Sequence, residues 1–516
     1  MPRKLYLETF GCQMNVLDSE LVLGQLVGQG YEPTDDRHAA DVVIYNTCSV
    51  REHAEQKVWS RLGELKGAKL DRPGLVIGVI GCMAERDGTD IFRKFPHVDL
   101  LCGPGELDKL PGMVHNAVVT GRAERDRETE RPRDGVARVS RDREGATGRR
   151  HVALMGSTSR RSSTLAAAED NLELLDLSRA ISPADARRQA YVRITRGCNK
   201  FCTYCVVPYT RGAEVHRPPG NIIEEVRRLA DAGAREVTLL GQTINHYAHA
   251  HGDGRVTTFG QLLYEIHEAV PHLPRLRFVT SYPRDFTDEA LQAMRDCGRI
   301  CRYLHVPAQH GNNRVLKAMN RGYSIEEYYE FVDRARAMMP DVSLASDFIV
   351  GFPTETEDEF QQTKDVIRRC RFKNSFIFKY SPRPGTVAIK RFADDVPEEV
   401  KRRRNIELLA VQHEVTDAVT RGMIGQVVEL MVEGESKHGG RAGDAAYPAS
   451  NVQLGPRLRV AARPKCTTQL VGRTRGDQIV VFEGDPSLAG ELVDVEITGA
   501  KGLTLFGRAH VASSLR

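Results

Sequence analysis

Between Tyr191 and Tyr380 six short apolar runs alternate with five amphipathic segments. The runs are Tyr191 to Thr195, Glu236 to Leu240, Arg275 to Thr280, Arg302 to Val306, Val342 to Val350 and Ser375 to Tyr380. Segments with helical spacing fill the gaps: Asn221 to Ala232, Phe259 to Val270, Thr287 to Arg295, Ile325 to Met339 and Glu357 to Arg369. Such repeats predict an incomplete (β/α) barrel, whose chemistry belongs at the carboxyl ends of its strands. The loop after the first strand carries Cys198, Cys202 and Cys205 within eight residues. Gln242, Asn245, Ser281, Gln309, Asp347 and Ser381 end the later strands and predict a polar pocket wall.

Three thiolates at this spacing can hold three corners of a cubane iron–sulfur cluster and leave one iron open. Four would close the cluster and suit plain electron transfer. Zinc usually needs four ligands in two close pairs, and the chain has no second such pair. An open iron with an aromatic residue, Tyr204, just before the last cysteine is the arrangement of radical S-adenosylmethionine (SAM) enzymes. There SAM chelates the free iron, and an electron from the cluster cleaves its sulfonium to a 5′-deoxyadenosyl radical.

The first third reads as a separate α/β unit. Leu5 to Phe10, Asp41 to Asn46 and Leu75 to Ile80 are strand-like, with helical segments at Asp18 to Gln29 and Glu52 to Lys66. That alternation predicts a parallel sheet. Each strand runs at once into a cysteine, in Phe10-Gly11-Cys12, Asn46-Thr47-Cys48 and Ile80-Gly81-Cys82. Carboxyl ends of neighbouring parallel strands share one edge, so Cys12, Cys48 and Cys82 are expected to converge on a shared metal cluster. Cys102 follows the fourth apolar run, Val98 to Leu101, and reads as an in-strand apolar residue. Cys297, Cys301, Cys370 and Cys466 read as structural.

With 516 residues, 41% hydrophobic and 28% charged, the chain has the composition of an ordinary soluble multidomain protein. A net charge of +4 is too small to demand a nucleic-acid partner, so any such contact rests on local basic patches. Eleven cysteines, an odd number spread along the chain, argue against a disulfide framework and for a reducing, cytoplasmic setting. Met1-Pro2-Arg3-Lys4 shows no secretory signal, and runs such as Leu75 to Ile80 are too short to span a membrane. Residues 121–185 are rich in Arg, Asp, Glu and Gly and predict a largely disordered linker, with one helix near Leu172 to Leu177. Pro397 to Arg421 predicts a charged helix, with Lys401-Arg402-Arg403-Arg404 as a solvated face. Gln426 to Val432, Gln478 to Phe482, Leu492 to Ile497 and Thr504 to Ala509 then predict a small β-barrel, interrupted by an insertion at Ser436 to Arg463. Arg473, Arg475, Lys501 and Arg508 are its candidate nucleic-acid face. Nothing indicates a coiled coil, so a monomer is expected.

The combined motifs resemble those of the radical-SAM methylthiotransferases, and within them the tRNA enzymes that make 2-methylthio-N6-isopentenyladenosine. The resemblance is carried by Thr9 to Asn15 with Asp18-Ser19-Glu20, Asn46 to Arg51, Gly81 to Ala84, Arg196 to Gly212 and Gly241 to Asn245. It continues through Thr280 to Pro283, His305 to Gln309, Asp347 to Pro353 and Tyr380 to Thr386. Glu214-Val215-His216-Arg217 departs from it, with His216 where the family shows serine.

The resemblance implies an α/β protein with an N-terminal methylthiotransferase domain (1–120), a six-repeat radical-SAM core (186–421) and a TRAM domain (422–512), from which the charged linker (121–185) and the insertion at 436–463 depart. It implies two [4Fe-4S] clusters, an auxiliary one on Cys12, Cys48 and Cys82 and the radical one on Cys198, Cys202 and Cys205. SAM is expected on the latter, its adenine near Tyr204 and its polar groups near Gln242, Asn245 and Asp347. The implied reaction is methylthiolation at C2 of N6-isopentenyladenosine beside the anticodon: one SAM methylates a cluster-borne sulfur and another supplies the radical that takes the C2 hydrogen. The implied partners are the tRNA anticodon stem-loop, whose single-stranded bases can be splayed out, an electron-donating reductase and a sulfur donor. Sister branches act on threonylcarbamoyl-adenosine in tRNA or on a ribosomal-protein aspartate. The alternative from another class is a non-catalytic iron–sulfur RNA-binding or electron-carrier protein.

Overall fold

The computed structural model describes residues 2–49, 52–129, 150–155, 172–179, 189–436 and 468–509. At the amino end, strands β1 (Arg3–Phe10), β2 (Tyr31–Pro33), β3 (Val42–Thr47), β4 (Val76–Gly81), β5 (Leu100–Cys102) and β6 (His151–Ala153) form one parallel sheet. Their order is β2-β1-β3-β4-β5-β6. β3 and β4 are buried along their whole length, as strands covered on both faces must be. Helix α1 (Gln13–Gly28) packs Leu17, Leu21, Val22 and Leu26 on one face, and α2 (Glu52–Asp71) packs Val58, Leu62 and Leu65 on the other.

The described part of 121–185 differs from the expected linker. Residues 121–129 continue the helix Leu110–Thr129, β6 pairs with β5, and residues 172–177 are helical as expected. The remainder of that expectation lies outside the described residues.

The next strands are β7 (Gln189–Arg193), β8 (Thr195–Arg196), β9 (Val215–His216), β10 (Glu236–Leu240), β11 (Ala248–Ala250), β12 (Val256–Thr258), β13 (Arg275–Phe278), β14 (Tyr303–His305), β15 (Ser343–Val350) and β16 (Asn374–Lys379). The six anticipated barrel strands form two parallel halves, β7-β10-β13 and β14-β15-β16, joined where Leu276 bridges Ile300. β8 pairs with β9 as the hairpin that brackets the cysteine loop, and β11 with β12 as a small ribbon. Thr258, Ser324 and Thr356 start outer helices through capping boxes, each satisfying two otherwise unpaired backbone donors.

The long helix Glu398–Arg421 forms as expected, but its basic run is not a uniformly solvated face. Lys401 and Arg404 are buried, paired with Asp394 at 2.5 Å and Glu355 at 3.0 Å, while Arg402 and Arg403 are exposed. Helical spacing places the first and last of four consecutive residues on one side. The chain ends in a closed barrel of β17 (Val427–Glu435), β18 (Thr468–Thr474), β19 (Ile479–Gly484), β20 (Leu492–Lys501) and β21 (Thr504–Ala509), ordered β17-β18-β19-β21-β20. β18 is an addition to the four expected strands, and residues 437–467, with most of the expected insertion and Cys466, lie outside the described residues.

Buried charge ties the first two units together. Asp18 of α1 accepts from Arg193 of β7 at 2.9 Å and from Arg211 at 2.7 Å. Arg193 also reaches Asp176 at 2.6 Å, and Asp176 takes Arg196 at 2.5 Å. Arg217 binds Glu225 at 2.7 Å and Glu173 at 2.8 Å. Burial works against the Asp176 carboxylate, yet Arg193, Arg217 and Arg196 together hold its pKa well below the ordinary value. Removing one partner from such a set strands the opposing charges. Arg193→Met should therefore destabilise the protein by roughly 3–5 kcal/mol in urea unfolding. Breaking the exposed Arg227–Glu224 pair should cost under about 1 kcal/mol in the same measurement.

The small barrel docks on the amino ends of the large one. Arg275 donates to Arg473 O at 2.6 Å and Glu429 O at 3.0 Å, Arg475 to Ile300 O at 3.0 Å, and Lys373 pairs with Asp477 at 2.5 Å. Arg475 therefore serves this junction, and the Arg473 side chain is paired with Glu433 at 2.8 Å and Asp477 at 3.0 Å rather than forming an open basic face, whereas Lys501 and Arg508 are exposed.

Candidate active site

Strand register brings the first three cysteines together. Phe10 lies opposite Thr47, and Thr47 opposite Gly81, so Cys12, Cys48 and Cys82 follow three aligned positions on one sheet edge. Two asparagines lock these strand ends: Asn15 Nδ2 donates to Asn46 Oδ1 at 3.0 Å, and Asn46 Nδ2 donates to Asn15 O at 2.8 Å. Gly81 is at φ 91°, and a Cβ there would lie 2.3 Å from Asn46 Oδ1. Gly81→Ala should strain the backbone by about 1–3 kcal/mol and displace the lock. Iron analysis of the anaerobically assembled variant should show a deficit confined to the amino-terminal cysteine set.

The environment there favours thiolates on one side. A hydrogen bond with Cys48, the Arg211 charge and the Asn15 and Met14 amides outweigh burial and bring the Cys12 pKa down to about 5. Arg211 comes from the far side of the domain junction and is itself held by Asp18. Burial pushes Cys82 up, against the same Arg211.

The second set sits in the loop between β8 and β9. Cys198 Sγ lies 3.5 Å from Thr243 Oγ1 and accepts from the Lys200 amide at 3.5 Å. Cys202 Sγ accepts from Arg321 Nη1 at 3.4 Å. Arg321 is fixed in turn by Pro307 O at 2.9 Å and by the ring of Tyr282, 4.6 Å away. Burial raises the Cys198 and Cys205 thiols, so thiolates there would need a bound cation to supply the compensating charge.

All six cysteines line one cavity of about 720 Å³ that fills the large barrel. Its walls run from the cysteines at the carboxyl ends to Lys373, Arg473 and Asp477 at the small barrel. Each set supplies three sulfurs. The other described cysteines, Cys102, Cys297, Cys301 and Cys370, are buried elsewhere and do not line the cavity. That donor set fits two cubanes, each lacking one protein ligand.

Tyr204, Gln242 and Asp347 line the cavity, as do Ser281 and Gln309. Gln242 Oε1 and Ser281 Oγ are buried without a hydrogen-bond partner among the described residues, and so remain available to a ligand. Asp347 accepts from or shares a proton with His305 Nε2 at 3.0 Å. Asn245 lies outside the lining: its Oδ1 accepts from Tyr282 N at 2.7 Å and its Nδ2 donates to Tyr282 O at 2.8 Å. Its amide shapes the loop that carries Ser281 and Tyr282. Ser381 is likewise not part of the lining.

Sequence reading missed Arg211, Arg321 and Lys373. Arg211 lies inside the Arg196 to Gly212 motif, so its position was visible but its reach to Asp18 was not. Burial lowers Lys373 to about 8 despite Asp477, leaving a titratable amine at the inner end of the cavity.

Comparison with known proteins agrees with this layout. Residues 4–103 match the family described as Uncharacterized protein family UPF0004, 192–367 the Radical SAM superfamily, and 466–510 the TRAM domain. Curated relatives called tRNA-2-methylthio-N(6)-dimethylallyladenosine synthase match over nearly the full length. The one from Rhodopirellula baltica is 43% identical, covering 98% of this chain and 96% of its own. Those from Acetivibrio thermocellus and Syntrophotalea carbinolica are 39% and 38% identical, covering 98% and 96% of this chain and 91% and 98% of theirs. The chain belongs to the tRNA-2-methylthio-N(6)-dimethylallyladenosine synthase family, built on radical-SAM and TRAM domains.

Proposed function

We propose that this protein methylthiolates C2 of N6-isopentenyladenosine beside the anticodon of tRNA, using SAM and two [4Fe-4S] clusters. The observation that carries the reading is the pair of three-cysteine sets, from two domains, opening on one cavity. Cys198, Cys202 and Cys205 would hold the cluster that binds SAM, and Cys12, Cys48 and Cys82 the auxiliary one. When bound, these groups supply the electron for SAM cleavage and a carrier for the sulfur. An aromatic C–H offers no acidic proton, so side-chain acid–base chemistry alone does not suffice for this substitution.

The chain's own residues arrange the rest. Arg211 and Arg321 each place a buried cation against one cysteine set, offsetting the negative charge of thiolate-ligated iron. Tyr204 provides an aromatic wall, and Gln242 and Ser281 offer uncommitted polar atoms for SAM. The cavity, about 720 Å³, is of a size that takes a small ligand, and a splayed nucleobase would enter it from single-stranded RNA. The TRAM domain would hold the RNA, with Lys501 and Arg508 as exposed cations on it. We assign the protein to the cytoplasm as a monomer served by a separate electron donor and sulfur donor; no helix among the described residues is long and apolar enough to cross a membrane.

The test is anaerobic reconstitution followed by nucleoside mass spectrometry. Isopentenylated tRNA should gain a methylthio group, and threonylcarbamoylated tRNA should not. Modification of the latter alone would assign the protein to a sister activity.

A further inference from the structure

Beside the radical loop, and outside the cavity, lies a second group of ligand-type side chains. Glu214, His216 and His246 bring one carboxylate oxygen and two imidazole nitrogens within 4.8 Å of one another. Glu214 immediately precedes β9 and His216 ends it, so the alternation of a strand puts both on one side. His246 ends the single turn Ile244–His246 that follows β10. The Glu214 side chain is 1% exposed, and its Oε2 meets His246 Nδ1 at 2.8 Å. Glu214 Oε1 and His216 Nδ1 are both buried with no hydrogen-bond partner among the described residues. A carboxylate oxygen withdrawn from water and left unmatched is costly. His246 is 44% exposed in its side chain, which gives the group a path to solvent.

We propose that Glu214, His216 and His246 bind a first-row divalent cation of the zinc type, at a site separate from both cysteine sets. Two imidazoles and one carboxylate suit zinc or ferrous iron, whereas calcium and magnesium call for more oxygen donors. Zinc–ligand distances of about 2.0–2.2 Å require donors closer than 4.8 Å; Glu214 and His246 already meet at 2.8 Å, so closure brings that pair and His216 together. The ion would brace the radical loop from two sides. The Glu214 amide donates to Asn199 Oδ1 at 3.2 Å, next to Cys198. Thr243, in the same turn as His246, lies 3.5 Å from Cys198 Sγ. The ion thus pins the return strand of the hairpin to the turn that contacts the first cysteine, a positioning role with no redox change at the ion.

The test uses the full chain with both clusters assembled anaerobically, so that the six thiols are occupied by iron. Zinc chloride is titrated in, excess is removed, and metal content is read together with zinc X-ray absorption. One zinc per chain is expected, with only nitrogen and oxygen neighbours at about 2.0–2.1 Å. His246→Ala, His216→Ser and Glu214→Gln should each weaken zinc binding on the order of 100-fold or more at unchanged iron content. His272→Ala, at an exposed pair with Asp231, should leave it unchanged. His246 is exposed, so its variant tests the site without a threat to folding. Absence of bound zinc, sulfur neighbours at about 2.3 Å, or full zinc binding by His246→Ala would overturn the proposal.

Discussion

Cys198→Ala is expected to abolish SAM cleavage and product formation while tRNA affinity persists. With two sulfurs left in the loop, the radical cluster loses a corner that the described chain cannot replace, since the other buried cysteines lie away from the cavity. Iron content should fall from about eight atoms per chain to about four, because the amino-terminal set stands on its own strand edge. SAM turnover to 5′-deoxyadenosine, iron analysis and filter binding of tRNA read the three outcomes. Turnover that survived in this variant would remove Cys198, and with it the three-cysteine loop, from the SAM-cleaving role.

Cys82→Ala is expected to do the complementary thing. The radical loop, with its own supports from Thr243 and Arg321, should still assemble its cluster and cleave SAM. Product should nonetheless drop to background, and iron again to about four atoms per chain. Uncoupled cleavage without methylthiolation separates a sulfur-carrying role from a radical-generating one. If the variant made product at the normal rate, the auxiliary role of Cys12, Cys48 and Cys82 would be wrong.

The large barrel was legible because each of its strands is an apolar run set between helical segments, a local pattern. The convergence of Cys12, Cys48 and Cys82 was legible too, since parallel register turns equal placement after a strand into nearness in space. What escaped depends on partners far away in the chain. The leucine-rich helix at 172–177 was legible, but the roles of Glu173 and Asp176 were not, because they arise only from Arg193, Arg196 and Arg217 around them. β6 is three residues long, and β18 alternates but buries Leu470, Gly472 and Thr474, of which one is a large apolar residue, so neither shows an apolar period in the sequence. Lys401 and Arg404 looked solvated, and Arg473 and Arg475 looked open to nucleic acid, because composition cannot show which cations find an anion or carbonyl within the fold. Asn245 sits at a strand end, as pocket residues do, yet its amide is spent on the Tyr282 backbone.

Mössbauer spectroscopy of isotopically enriched, oxygen-free protein, with and without SAM, tests the pairing of open-cornered cubanes most directly. Two cubanes per chain should be present, and SAM should alter one iron site in the cluster that the Cys198→Ala variant lacks. A single cubane, two cubanes indifferent to SAM, or cysteines occupied by zinc instead of iron would contradict it.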